Sequence, residues 1–235
     1  MNDGYARHRI AQLCKEHGLD GSVAGRLAKL LDELETNGLA PTPIRDPRRA
    51  VDVHIADSLS ALSLEPVREA SSIIDIGSGA GFPGLPLAAA LPRARFGLMD
   101  SVRRKCDFIE AAAAAAAISN ADAVCDRAEG WSAGLGAHDL VLARAVAAPA
   151  TVLEYAAPLL EPEGSLVEWR GRRDPDGDAA AAAAASQLGM RAVLVHRVVA
   201  FPGASEHHLH VYRKVEPTPA GFPRRIGVAR KRPLA

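Results

Sequence analysis

Cysteine is scarce in this 235-residue chain. The three cysteines, Cys14, Cys106 and Cys125, are odd in number and widely spaced, and none belongs to a C-x-x-C pair. This pattern indicates neither a disulfide framework nor a zinc site built on cysteine. It fits a reducing compartment, and we expect a cytoplasmic protein.

Long apolar runs are also missing. No apolar stretch approaches the roughly 20 residues that a helix needs to span a bilayer. The alanine runs at 111–117 and 179–185 are too short to do so, and we interpret them as helical because alanine is the strongest helix former. The N-terminal stretch lacks the apolar core of a signal peptide. We therefore expect no contact with a membrane.

The chain has no net charge, with 28 basic and 28 acidic side chains, so its overall charge implies no polyanionic partner. Hydrolase motifs and nucleophile–base pairs are absent as well. The histidines of the H-H-x-H motif cannot all face one site, because His208 and His210 share one face of a strand and His207 points to the other. We therefore expect no metal site.

Basic side chains are instead concentrated near the C-terminus, where residues 222–235 include no acid. The five cations of this stretch are Arg224, Arg225, Arg230, Lys231 and Arg232. Such a cluster is typical of a segment that binds a phosphate backbone, or of a soluble tail. Charge alone leaves both interpretations open.

The most informative segment is I-I-D-I-G-S-G-A-G-F-P-G at residues 73–84. Its order predicts a strand, a tight glycine loop that lets a ligand approach the backbone, and a helix start. A dinucleotide-binding loop needs G-x-G-x-x-G, but Gly81 comes one residue early and Asp75 would lie beside the phosphates. Asp75 suits a cationic ligand with hydroxyl and amino groups, such as S-adenosylmethionine. The alternative is a glycine-rich turn without a ligand.

Apolar periodicity predicts helices in the first part of the chain and alternating strands and helices after it. The predicted helices span 5–36, with a break between Gly18 and Gly21, 48–64, 83–91, 102–118, 149–160 and 176–189. The predicted strands span 72–76, 95–100, 121–126, 139–144, 164–170, 191–201 and 207–215. We expect an N-terminal helical cap at 1–65, an α/β domain at 66–216 and a basic C-terminal tail at 217–235.

Repeated strand–helix units imply a mostly parallel sheet with helices on both faces. The last two predicted strands have no helix between them, so we expect an antiparallel hairpin at the sheet edge. A seven-stranded, Rossmann-like α/β sheet with such a hairpin is the class I S-adenosylmethionine-dependent methyltransferase fold. Ligands of such sheets bind at the carboxyl ends of the strands.

Polar residues follow the predicted second and third strands at this edge. Asp100 comes 19 residues after Gly81, where a carboxylate can accept both ribose hydroxyls. Its alternative role is to cap the next helix. Ala128 and Glu129 follow the third strand, where they can meet the edge of an adenine. Alternatively, Glu129 is a solvated acid.

Further candidates lie at the fourth and fifth strand ends. Arg144 would lie near the transferred methyl group, where it can hold a phosphate or stack on a base. Alternatively, Arg144 forms a salt bridge with Asp75 or Asp100. Trp169 and Arg170 offer a stacking surface and a cation to an unpaired base, or they are a core tryptophan and an exposed arginine.

Taken together, these segments resemble the glucose-inhibited-division-B family of bacterial small-subunit rRNA methyltransferases. The matching segments cover nearly the whole chain: Asp46-Pro47, H-I-A-D-S-L at 54–59, I-D-I-G-S-G-A-G-F-P-G-L-P-L-A at 74–88, L-M-D-S at 98–101, R-A-E at 127–129, A-R-A-V-A at 143–147 and F-P-R-R-I-G-V-A-R-K-R-P-L at 222–234. The resemblance implies transfer of a methyl group from S-adenosylmethionine to N7 of a guanine in 16S rRNA. It implies 16S rRNA or the 30S subunit as partner, and we expect a monomer.

The resemblance also assigns site residues. It implies cofactor contacts at Gly77, Gly79, Phe82, Asp100, Ala128, Glu129 and Arg144, and the glycine-loop pattern adds Asp75 to this set. It places His54 and Ser58, four apart on one helix face, beside the active site with Asp57, so we expect catalytic roles for Arg144, His54 and Ser58. We expect rRNA contacts from Arg170 and the five cations of the tail.

Two features depart from the family pattern: the stretch 35–44, and Arg170 where a lysine is typical. They motivate an alternative in which the acceptor is another RNA or a small molecule. Guanine N7 already carries a lone pair, so methylation needs no base to remove a proton. Rate enhancement should come from desolvated, in-line positioning of the reactants, which agrees with the missing acid–base pair.

Overall fold

The computed structural model describes residues 4–204 and 206–234. The first three residues of the predicted cap, Ser205 in the hairpin loop and Ala235 at the end of the predicted tail lie outside the described residues. The N-terminal region consists of α1 (Gly4–Glu16), α2 (Gly21–Thr36), α3 (Pro47–Ala50), α4 (Asp57–Leu59) and α5 (Glu65–Glu69). The Asp20 carboxylate caps α2 by accepting from Ser22 N.

The predicted single helix at 48–64 is instead a series of short turns. A π-helical stretch, Val51–Ala56, separates α3 from α4, and a 3-10 turn, Ser60–Ser63, follows. A π-helical insertion displaces the residues after it relative to a regular helix and is common at functional sites. Here it lies immediately before Asp57, whose backbone N–H donates to the carbonyls of Asp52 and His54.

Seven strands form one sheet. They are β1 (Ser72–Ile76), β2 (Arg95–Met99), β3 (Ala121–Val124), β4 (His138–Arg144), β5 (Leu160–Arg170), β6 (Met190–Val198) and β7 (His207–Lys214), in the order β3-β2-β1-β4-β5-β7-β6. The first five strands pair in parallel, and β7 is antiparallel to both β5 and β6. The predicted α/β fold with a C-terminal hairpin is confirmed. The strand order reverses between β1 and β4, which is where ligands of such sheets bind.

Helices cover both faces of the sheet: α6 (Gly84–Ala90), α7 (Arg103–Ala115), α8 (Pro149–Ala156) and α9 (Pro175–Gln187). Leu27 and Leu31 of α2 belong to the same buried cluster as Phe96 of β2 and Phe108 of α7. The helical cap therefore shares a core with one face of the sheet. The domain boundaries at 65/66 and 216/217 stay predictions.

The chain after β7 does not extend into solvent. Residues 217–234, which we call the C-terminal segment, turn back and end in α10 (Val228–Lys231) against α8. Phe222 and Leu234 pack on the apolar cluster that α8 and α9 share with the sheet, and Ala229 is fully buried. Within the described ranges, no helix is long and apolar enough to cross a membrane.

Candidate active site

The glycine loop after β1 turns more tightly than side chains allow. Gly77 has φ +69°, and a Cβ there would lie 2.9 Å from Val146 Cγ2. Gly81 has φ +85°, and a Cβ there would collide with the Leu85 side chain. Both positions require glycine because of the left-handed backbone and the close neighbours.

Asp75 lies behind this loop rather than in front of it. Its carboxyl group is fully buried, Oδ2 accepts from Gly84 N at 3.0 Å, and Oδ1 has no hydrogen-bond partner in the described part of the chain. Burial raises the pKa of Asp75 to about 7. The expectation that an Asp75 charge directly faces a cationic ligand is therefore not supported, since this carboxyl group braces the loop against α6.

A cavity of about 270 Å³, the Asp100 pocket, opens at the carboxyl ends of the central strands. Of the residues predicted to bind the cofactor, Gly77, Asp100, Ala128 and Glu129 line it. Asp75, Gly79, Phe82 and Arg144 do not. Three other residues that line the cavity were missed by the sequence interpretation: Lys105, Tyr155 and Gly227. Of these three, only Lys105 could have been found from the sequence, because it follows Asp100 closely on α7.

Asp100 contacts both Val102, the N-cap residue of α7, and the glycine loop, and its contact with a ribose stays a prediction. Its Oδ1 accepts from Val102 N at 3.0 Å, next to the start of α7, and its Oδ2 accepts from Gly79 N at 3.2 Å. Lys105 Nζ lies 3.0 Å from Oδ2. A carboxylate offers about four lone-pair sites, so one stays open on Oδ1. The helix-flanking contact thus leaves capacity for a ribose hydroxyl.

A second cavity of about 420 Å³, the Arg144 pocket, adjoins the first. It is lined by Val53, Asp57, Arg144, Ala145, Trp169, Arg170, Gly171 and His207. Ala145 lines both cavities and has a left-handed φ of +55°, which is strained for a residue with a Cβ and is typical of functional sites. The two pockets therefore meet at a single backbone position after β4.

Asp57 is the hub of the Arg144 pocket. Its Oδ2 accepts from Arg144 Nη1 at 3.0 Å, its Oδ1 lies 2.8 Å from His207 Nδ1, and its backbone carbonyl accepts from Trp169 Nε1 at 3.1 Å. The expected alternative partners of Arg144, Asp75 and Asp100, were wrong. The cap supplies the counter-ion instead, through Asp57 at the end of the π-helical stretch.

His54 supports Arg144 from inside the cap. Its ring stacks on Phe82 at 4.6 Å, and Nδ1 lies 3.4 Å from Arg144 Nη2. Burial and the nearby guanidinium lower the pKa of His54 to about 4, so the neutral ring accepts from Arg144. Ser58 is fully buried and donates to the His54 carbonyl at 2.5 Å. Neither side chain lines the two pockets, so their position does not support direct catalytic contact.

Trp169 and Arg170 form the floor of the Arg144 pocket. Trp169 is 7% exposed and Arg170 is mostly buried, which corrects the alternative of an exposed arginine. Arg170 Nη1 lies 2.9 Å from Asp178 Oδ1 and 3.2 Å from His210 Nδ1. Burial, with Arg170 adding to it, lowers the pKa of His210 to about 4. An ion network therefore fixes the orientation of Arg170.

Glu168 lies within this network and predicts a pH dependence of folding. It is 4% exposed, Oε2 has no hydrogen-bond partner in the described residues, and burial raises its pKa to about 7. The folded state keeps this proton up to about pH 7, whereas the unfolded chain loses it near pH 4.5. Stability contributed by the protonated group is therefore lost as pH rises through this window.

We expect Glu168→Gln to flatten the decline in unfolding free energy between pH 5 and pH 8, by at most about 3 kcal/mol. Urea unfolding at both pH values measures the change. Glu163→Gln is the matched control, because Glu163 is on the same strand with a side chain that is 65% exposed. Equal pH slopes for wild type and Glu168→Gln would contradict the prediction.

The five cations of the tail fall into different environments. Arg224 pairs with buried Glu154, and Arg230 lines the Asp100 pocket. Arg225, Lys231 and Arg232 are exposed. Contact of these residues with rRNA stays a prediction, and for Arg224 the guanidinium is already engaged within the fold.

Comparisons with known proteins agree with this geometry. The family model of rRNA small subunit methyltransferase G matches residues 26–208. A ribosomal RNA small subunit methyltransferase G from Rubrobacter xylanophilus is 37% identical over 196 residues, covering 81% of this chain and 75% of the relative. The protein of that name from a Synechococcus species is 39% identical over 204 residues, covering 82% and 77%.

Among solved structures, a SAM-dependent methyltransferase from Aquifex aeolicus superposes with a TM-score of 0.56 at 13% identity, covering 79% of this chain and 97% of that one. At this identity the likeness shows the fold alone. The sequence relatives and the family model decide the assignment. This chain belongs to the rRNA small subunit methyltransferase G family.

Proposed function

We propose that this protein transfers a methyl group from S-adenosylmethionine to N7 of a guanine in 16S rRNA. Membership of the family makes it a methyltransferase, with S-adenosylmethionine as the methyl donor and rRNA as the substrate. The finer parts of the proposal are the guanine, its N7 atom, the preference for 16S rRNA or the 30S subunit, the monomeric state and a cytoplasmic location.

The observation that carries the proposal is the meeting of two unlike pockets at Ala145. The Asp100 pocket fits a nucleoside: a carboxylate with an open lone pair lies at one wall, and the glycine loop leaves no Cβ at Gly77. The Arg144 pocket fits a flat, electron-rich base, because Trp169 offers a ring and Arg144 a planar cation. We therefore assign the first pocket to the cofactor and the second to the base.

Methyl transfer to guanine N7 requires little acid–base chemistry from the protein. S-adenosylmethionine supplies an activated methyl group on a sulfonium, and guanine N7 has no proton to lose. Arg144 can donate to O6 of the base, which leaves N7 free. The neutral His54 ring and the buried Asp57 carboxylate hold Arg144 in place. Asp57 also offsets positive charge in the pocket, which matters because N7-methylguanine is a cation.

The proposal is tested by methyl transfer from tritiated S-adenosylmethionine to rRNA that lacks the modification. We expect label in 16S rRNA, and borohydride–aniline cleavage at one guanine as the mark of N7 methylation. Naked 16S rRNA and 30S subunits, assayed side by side, separate the two partners. Absence of label in both, with S-adenosylhomocysteine shown to bind, would contradict the proposal.

One structural observation bears on the alternative acceptor, which is another RNA or a small molecule. Thr42, within the atypical stretch 35–44, lies 3.3 Å from His54 Nε2, behind Arg144. If the acceptor is not 16S rRNA, we therefore expect the residues responsible to lie around Arg144 rather than in the cofactor pocket. Transfer to another RNA or to a small molecule, without transfer to 16S rRNA, would favour it.

A further inference from the structure

The C-terminal segment contributes to a pocket that is otherwise built from strand ends. Gly227 and Arg230 line the Asp100 pocket together with Gly77 and Asp100. The family model ends at residue 208, before this segment begins. The sequence had indicated only a solvated or phosphate-binding tail.

Three contacts fix the segment against the pocket. Arg224 donates from Nε to Glu154 Oε1 at 2.6 Å and from Nη2 to Oε2, and Glu154 is fully buried on α8. Thr151 Oγ1 donates to the Ala229 carbonyl at 3.2 Å. Both anchors lie on α8, so residues 224–229 are held along that helix, and Arg230 of α10 comes directly after them.

The third contact ties the segment to a predicted cofactor residue. Gly227 N donates to Glu129 Oε1 at 3.0 Å. Gly130 also touches the segment, because a Cβ there would lie 3.1 Å from Ile226 Cδ1. The carboxylate expected at the adenine edge therefore holds the C-terminal segment, which supplies Gly227 and Arg230 to the lining of the pocket.

Arg230 and Tyr155 both line the Asp100 pocket. Burial raises the pKa of the Tyr155 phenol, Glu129 adds to that effect, and the positive charge of Arg230 opposes it. Ala128 lines the same cavity as Tyr155 and Arg230. A planar guanidinium is suited to covering the face of an aromatic ring such as adenine.

We propose that the C-terminal segment closes the cofactor pocket and that Arg230 is a cofactor-binding residue. The proposal rests on the assignment of the Asp100 pocket to S-adenosylmethionine under the proposed function. The proposal gives Arg230 a different role from the other basic residues of the segment, because those residues do not line this pocket. Arg230 then acts on cofactor affinity even when no rRNA is present.

The test measures the dissociation constant for S-adenosylhomocysteine by calorimetry in the absence of RNA. We expect Arg230→Ala to raise it about tenfold, or about 1.4 kcal/mol. Arg225→Ala is the matched control, because it removes the same charge from an exposed position of the same segment outside the pocket; we expect wild-type affinity for the cofactor. Arg230 is itself exposed, so the variant should fold, which circular dichroism verifies.

Asp100→Asn separates failure of this proposal from failure of the proposed function. An affinity of Arg230→Ala within about twofold of wild type, or equal losses in Arg230→Ala and Arg225→Ala, would overturn the role of Arg230. If Asp100→Asn weakens binding in that case, the pocket assignment stands. If Asp100→Asn binds as wild type does, the assignment of the Asp100 pocket to the cofactor fails together with the role of Arg230, whereas the proposed function fails only if no label reaches 16S rRNA or 30S subunits.

Discussion

Arg144→Ala should lower methyl transfer to rRNA about 100-fold, the order expected when a reactant loses its positioning group. The Arg144 guanidinium lines the pocket assigned to the base and is fixed by Asp57 and His54. It does not line the Asp100 pocket, so the dissociation constant for S-adenosylhomocysteine should stay close to wild type. Single-turnover kinetics and calorimetry measure the two quantities.

Two further variants make this result specific. Arg144→Lys keeps the charge and loses the planar fork, so it should recover only part of the rate. Arg213→Ala is the control for removing a cation from the sheet, since Arg213 is half exposed and pairs with Glu163. A parallel loss of cofactor binding in Arg144→Ala would move Arg144 to the cofactor site. Unchanged turnover would remove it from the active site.

Arg224→Ala should destabilise the fold by about 3 kcal/mol, near the lower end for breaking a buried ion pair. Glu154 is fully buried, and both of its carboxylate oxygens accept from Arg224. Removing the guanidinium leaves a buried charge without its partner. Urea unfolding at pH 7 measures the loss, and the midpoint should fall without a change in slope.

Arg225→Ala is the matched control for this experiment too. Arg225 is the exposed neighbour of Arg224, and surface substitutions usually change stability by less than about 0.5 kcal/mol. A double variant, Arg224→Met with Glu154→Met, should recover much of the lost stability, because no buried charge then stays unpaired. Equal, small effects of Arg224→Ala and Arg225→Ala would show that the pair contributes nothing.

The sheet could be predicted from the sequence because its signals are local. Apolar runs of a few residues, each followed by a helical pattern, predicted 72–76 as a strand, and β1 has those bounds. Asp100 was found because its distance from the glycine loop is set by one strand–helix–strand unit. Properties that depend on neighbours along the chain were therefore recovered, including the hairpin of β6 and β7.

Long-range partners were not predictable in this way. Asp57 contacts Arg144 across 87 positions of the chain and His207 across 150. Glu154 interrupts an apolar helix, and a sequence pattern does not distinguish a solvated glutamate from a buried one that awaits Arg224. The buried Glu154 carboxylate is one of three contacts that hold the C-terminal segment against the fold, whereas composition indicated only a cluster of positive charge.

The Arg144 pocket is formed jointly by the cap and the sheet. Asp57 belongs to the cap, while its partners Arg144, Trp169 and His207 belong to β4, β5 and β7. If the cap moved away from the sheet, Asp57 would move with it, and the Arg144 pocket would lose both its counter-ion and part of its lining. Occupation of the Arg144 pocket and docking of the cap are consequently linked equilibria, so a ligand that binds only when the cap is docked stabilises the docked state by RT ln(1 + L/Kd), where L is the free ligand concentration.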